Sequence, residues 1–133
     1  LRISERVAFT GALAFDAGLR ALYRRADIFV HPALSEAFPR AMWEAMAAHT
    51  PIVATDVGGV SHLLRAASAG LVVSPRSSRE LADAIARLID DGALRRRIIE
   101  AAGNLVRRHT VERQGRTLWE ILRGEIAAGT DGS

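Results

Sequence analysis

The chain of 133 residues contains neither cysteine nor lysine. The missing cysteine excludes disulfides, thiolate metal sites and cysteine nucleophiles. The missing lysine leaves all positive charge to arginine, and 18 arginines against 15 acidic residues give a formal net charge of +3. A high isoelectric point then mostly restates that arginine titrates late. The densest basic run, Arg95-Arg96-Arg97, is followed by Arg107-Arg108, and both lie among acidic residues. Solvated helix faces account for this spread better than a nucleic-acid footprint, so no nucleic-acid partner is expected. Long apolar runs are also absent. The longest, around Ala41 to Ala48, is interrupted by Glu44, and nothing is long enough to span a bilayer. No signal-peptide pattern precedes the first apolar segment, and the chain opens on Leu1, as a piece of a longer protein would.

What is present suffices for a folded domain. Apolar residues make up 49% and charged residues 25%, enough to bury a core. Val7-Ala8-Phe9-Thr10, Ile28-Phe29-Val30, Ile52-Val53-Ala54-Thr55 and Leu71-Val72-Val73 read as strands at roughly twenty-residue intervals, with helical patterns between them. Strands apolar on both faces belong to a covered parallel sheet. Asp16 can cap a helix carrying Leu19, Leu22 and Tyr23, and Pro39 suits the first turn of a helix carrying Ala41, Met42, Ala45 and Met46. Ser77 and Glu80 have capping-box spacing ahead of the stripe Leu81, Ile85, Leu88 and Ile89. Gly92 should break that helix; another runs from about Leu94 to Val106, and Thr110 can cap a last one carrying Leu118, Ile121 and Leu122. The expected fold is α/β, a three-layer Rossmann-like parallel sheet with an α-helical C-terminal end, occupying 1–128 with a flexible tail at 129–133. A doubly wound domain has about six strands and phosphate contacts in its first strand–helix turn. With four strands the chain begins after that unit, and an exposed strand edge is expected where it starts.

Chemistry concentrates in residues 35–47. A loop leaves the Ile28 strand and enters a helix at Pro39. The end of a parallel strand meeting a helix N-terminus is the usual anion site of α/β proteins, because unpaired N–H groups and the helix dipole face the crevice. Glu36 precedes that helix, and Glu44 follows Pro39 by roughly 8 Å along the axis. Carboxylates accept hydrogen bonds from hydroxyls, which suits a ligand with a sugar and a ribose on either side of a diphosphate. A second reading is equally consistent with the spacing: Arg40 and Glu44 form an i,i+4 surface pair and Glu36 complements the helix dipole.

The residues Ser35-Glu36-Ala37-Phe38-Pro39, Glu44-Ala45-Met46-Ala47, Pro51-Ile52-Val53-Ala54-Thr55 and Asp56-Val57-Gly58-Gly59 break this tie. Their order and the E-x7-E spacing resemble the retaining group-1 (family-4 type) glycosyltransferases with two Rossmann-like domains, the GT-B architecture. Phe9-Thr10-Gly11, Leu22 to Asp27, Gly70 to Val73 and Leu81 to Ile85 extend the resemblance over roughly Val7 to Leu122. It implies the C-terminal, nucleotide-sugar-binding domain of a cytoplasmic enzyme, with membrane association of the parent as an alternative. Glu36 would then stand beside the donor sugar as the catalytic residue, and Glu44 would hold the ribose hydroxyls. The backbone around Ala37, Phe38, Pro39, Arg40 and Ala41 would face the sugar and diphosphate, although Pro39 lacks an N–H. Ala12-Leu13 would approach the base. The resemblance implies no metal and no cofactor, with a nucleotide-diphosphate sugar as donor substrate. The acceptor-binding N-terminal domain and the Arg and Lys that neutralise the diphosphate would precede Leu1.

The chain departs from the family at Ser61-His62, where relatives often carry Pro-Glu, and at Trp43, which replaces an aliphatic residue. Alternatives are a non-catalytic nucleotide-sugar-binding or regulatory subunit and a nucleotide-sugar epimerase of the same fold. A flavodoxin-like signalling domain would need acidic residues after its first strand, where this chain has Ala12-Leu13. His31 ends a strand near the expected cleft and fits packing better than ligand contact, and no histidine pair has metal-ligand spacing. Asp90-Asp91 reads as a solvated helix end. The arginine-studded C-terminal helices leave peripheral membrane contact as a minor alternative.

Overall fold

Ile52, Val53, Ala54 and Thr55 are all buried, which requires a strand covered on both faces. In the computed structural model, which describes residues 3–14, 16–110, 116, 119 and 120, this strand (β2, Ile52–Thr55) is the centre of a three-stranded sheet. β1 (Phe29–His31) and β3 (Leu71–Val73) flank it, both parallel to it. Val53 is level with Val30 on one side and Leu71 on the other. The helices are α1 (Ala17–Arg25), α2 (Arg40–Ala47), α3 (Gly58–Ala67), α4 (Ser78–Asp90) and α5 (Gly92–Arg108), after a 3₁₀ turn at Ser4–Arg6.

Strand alternation divides the core in two. Ile52 and Ala54 pack with Met42, Ala45 and Met46 of α2, Leu64 of α3 and the second half of α5 at Ala102 and Leu105. Val53 and Val73, from the opposite pleat, pack with Ala84 and Leu88 of α4 and the first half of α5 at Leu94 and Ile98. Helices therefore cover both faces of the sheet, giving the three-layer Rossmann-like α/β fold expected from the sequence.

Capping explains most helix starts. Asp16 accepts from the N–H groups of Gly18 at 2.8 Å and Leu19 at 3.1 Å, as its position before α1 suggests. Ser77 accepts from the Glu80 N–H, but Glu80 turns to the Ser74 N–H at 2.8 Å, so the capping box closes on one side only. Asp91 is both the end of α4 and the cap of α5, accepting from the Leu94 N–H at 2.8 Å. This one carboxylate lets the chain break and restart at once, so Gly92 is already the first residue of α5.

Three expectations need correction. Val7–Thr10 is not a strand; Phe9 is 95% exposed and the segment joins no ladder. Strand-like composition does not supply a neighbour, and in the doubly wound order 3-2-1-4-5-6 the third strand is not beside the fourth. Ile89 lies off the buried stripe of α4, 60% exposed, while Ala84 takes the core position. Leu22 is likewise half exposed on α1. The last helix is described only at Arg116, Trp119 and Glu120; Leu118, Ile121, Leu122 and the tail 129–133 lie outside the described residues.

Candidate functional site

The loops after β1 and β2 meet. The Gly59 N–H donates to the Ala37 carbonyl at 3.2 Å, and Thr55 Oγ1 donates to the Ala33 carbonyl at 2.6 Å. Gly58, at φ +68°, makes the meeting close, since a Cβ there would overlap the Glu36 carbonyl and lie 2.8 Å from that of Ala37. α2 and α3 both start at this junction. Neither Pro39 nor Val57 supplies a side-chain cap, whereas α1, α4 and α5 carry Asp16, Ser77 and Asp91. Two helix N-termini, each with first-turn N–H groups lacking intrahelical partners, are thus set side by side beyond the C-terminal ends of β1 and β2. Polar ligands of open α/β sheets bind in this crevice.

Glu36 lies on the connecting loop. Oε1 accepts from the Ala37 N–H at 3.0 Å, and Oε2 is 3.8 Å from His31 Nε2. That nitrogen is buried and has no hydrogen-bond partner among the described residues. His31 also stacks on Phe29, so the strand end fixes the ring in front of the carboxylate. The Ala37 N–H is already engaged by Glu36. Phe38 is exposed and stacks on Trp43 with ring centroids 5.5 Å apart, while Pro39 is buried behind the loop. Trp43 thus packs against the Phe38 ring of the loop that precedes its helix.

Glu44 is held from two sides. The Tyr23 hydroxyl donates to Oε2 at 3.1 Å, and Arg40 lies 3.4 Å from Oε1. The i,i+4 pair anticipated from spacing is present, and Glu44 is largely buried with a side-chain exposure of 20% against 80% for Arg40. Burial first, then the Glu44 carboxylate, raises the Tyr23 hydroxyl above its ordinary value of 10.0. Tyr23 and Glu44, with Arg20, Arg24, Ala47 and Ala48, line a cleft of about 250 Å³ between α1 and α2. Glu36 does not line that cleft: it lies on the loop before α2, whereas Glu44 is in the second half of the helix. Leu13 is half exposed in the segment before α1. Tyr23 was legible in the sequence only as an apolar stripe residue; its partner is 21 positions away. Asp56, at the end of β2, pairs with Arg65 of α3 at 2.7 Å, and that guanidinium holds its carboxyl below the usual range. Among the described residues, no three His, Asp or Glu side chains converge as a metal site would require.

Residues 1–105 match the family model of the group 1 glycosyl transferases. The chain belongs to this family. Among group 1 relatives, the phosphatidyl-myo-inositol mannosyltransferase of Mycobacterium leprae is 38% identical over 92% of this chain, which spans 30% of that protein. Sucrose-phosphate synthase of Thermosynechococcus elongatus superposes with a TM-score of 0.78 at 30% identity, over 95% of this chain and 32% of the other. HepE of Anabaena, solved in complex with UDP-glucose, gives a TM-score of 0.72 at 29% identity, over 84% of this chain and 31% of its own. The group 1 chain described here thus spans about a third of the length of these proteins.

Proposed function

We propose that this chain is the donor-binding portion of a retaining, metal-independent glycosyltransferase that moves a sugar from a nucleotide-diphosphate sugar to an acceptor. The supporting observation is the pair of helix N-termini without side-chain caps at the junction of the β1 and β2 loops, with Glu36 on the loop before α2 and Glu44 within that helix. The helix starts offer N–H donors and positive dipole ends to the diphosphate. Glu44 accepts the ribose hydroxyls; Tyr23 and Arg40 leave it further lone pairs and fix its direction. Glu36 stands by the sugar, one carboxylate oxygen held by the Ala37 N–H and the other facing the His31 ring. Backbone around Phe38, Pro39, Arg40 and Ala41 completes the cradle, and Leu13 approaches the base. The acceptor is bound by a further domain, N-terminal to this one.

In the longer enzyme, Glu44→Gln weakens nucleotide binding, because ribose contacts exist in ground and transition states alike. Glu36→Gln lowers kcat more than it changes nucleotide affinity. Equal effects on both quantities in both variants would contradict this division. The chain alone binds UDP or GDP sugars at about millimolar Kd or weaker, near −4 kcal/mol. Helix N-termini at an exposed site contribute only about 0.3–1 kcal/mol, and the isolated chain cannot enclose the sugar. Titration by NMR with a parallel transfer assay checks this; micromolar binding or turnover would refute it.

A further inference from the structure

At the other end of α2 the chain leaves the helix through His49, whose φ is +62°. The Thr50 N–H bonds back to the Ala45 carbonyl at 3.0 Å and the His49 N–H to Met46 at 3.1 Å. This is the left-handed helix exit where glycine is the usual residue, because a Cβ is strained there. A glycine is found instead in the middle of α5, at Gly103, where it is buried and where helix formation disfavours it. The two departures are in contact. A Cβ at Gly103 would lie 4.0 Å from His49 Nε2 and 3.4 Å from Arg107 Nη1. The missing side chain forms the floor on which an imidazole and a guanidinium converge.

These groups, with Arg96, Ile99 and Glu100, line a cleft of about 290 Å³. Arg107 Nη2 donates to Asn104 Oδ1 at 2.6 Å, which aims the guanidinium and leaves most of its five N–H donors available. Among the described residues neither Arg96, Arg107 nor His49 forms an ion pair. Glu100 offsets one of the arginines, and cationic groups remain in excess. We infer that the cleft between the end of α2 and α5, centred on His49 and Arg107 above Gly103, binds a phosphate-class anion. Its size and its forked donors suit a phosphate monoester or diester group, either free or carried by a lipid headgroup. It is distinct from the cleft at Glu44, which opens between α1 and α2 and shares no lining residue with it.

The full chain titrated with inorganic phosphate, following the His49 ring by NMR, tests the site. Co-sedimentation with phosphatidylglycerol vesicles, against phosphatidylcholine vesicles, runs beside it. Saturable phosphate binding identifies a soluble ligand; binding only to the anionic vesicles identifies a headgroup. In either case Arg107→Gln weakens binding about tenfold, whereas Arg97→Gln, the same charge change off the cleft, leaves it nearly unchanged. His49→Gly removes the backbone strain, so it melts no lower than the parent while still losing affinity. The inference is overturned if neither probe binds, if the two arginine variants weaken binding equally, or if His49→Gly binds as well as the parent.

Discussion

The Tyr23 hydroxyl donates to Glu44 Oε2 across 3.1 Å, fastening α1 to the carboxylate assigned to the ribose. Tyr23 is the only tyrosine in the chain, so its ionisation can be followed by ultraviolet absorbance without interference. Its raised pKa has burial as the largest cause and Glu44 as the second. Glu44→Gln therefore lowers the midpoint without returning it to 10.0, because burial persists. A folded pKa above the unfolded one means that the unfolded chain ionises first. The stability linked to this group is complete below the unfolded value and is lost as pH rises through the folded value. An unchanged midpoint in Glu44→Gln would show that the hydrogen bond has no energetic weight.

Gly58→Ala tests the junction of the two loops. Its φ of +68° strains any residue with a Cβ, and the added carbon overlaps the Glu36 carbonyl. A loss of at least about 1–3 kcal/mol in urea denaturation is expected. The Ala37 and Gly59 amide resonances should shift as their hydrogen bond opens. Parent-like stability would mean that the loops separate at little cost.

Acid sensitivity follows from three carboxylates. Asp56 is lowered by Arg65, Glu80 by the Ser74 N–H and Asp91 by the Leu94 N–H. Each folded pKa lies below its unfolded value, so the linked stability is present above the unfolded value and lost as pH falls through the folded one. Asp56→Asn should flatten the fall in melting temperature below about pH 4. Raised salt should weaken the Asp56 share more than the two shares from backbone hydrogen bonds. An identical acid profile in Asp56→Asn would exclude the Arg65 pair as a contributor.

Leu64→Ala tests the core behind α3. Leu64 is fully buried between α3 and β2, and its methyl groups lie against Gly70. Removing it costs about 2–5 kcal/mol, depending on how far the cavity collapses. Chemical denaturation measures this directly; a loss below about 1 kcal/mol would show that the α3 side repacks freely.

Local chemistry made β1, β2, β3 and the Asp16 cap legible, because period, branching and capping are carried by neighbouring residues. The Arg40–Glu44 pair was legible for the same reason. Val7–Thr10 misled because ladder formation depends on a partner that composition does not specify. Ile89 misled because a four-residue stripe fixes a helix face only to within a residue or so, and packing chose Ala84. In the candidate site, the motif order singled out Glu36 and Glu44, but not their separate surroundings. Tyr23, His31 and Gly58 acquire their roles from contacts across the sheet edge, which helical or strand periodicity does not encode. Gly58 is the partial exception, since paired glycines after a strand mark close backbone approach.

α5 contributes Leu94 and Ile98 to one side of the sheet and Ala102 and Leu105 to the other. A single seventeen-residue segment therefore clamps both halves of the interior. Its detachment would uncover both at once, so neither half can melt as an independent foldon. Amide hydrogens of β2 and of the middle of α5 should then exchange with one shared opening free energy, that of global unfolding.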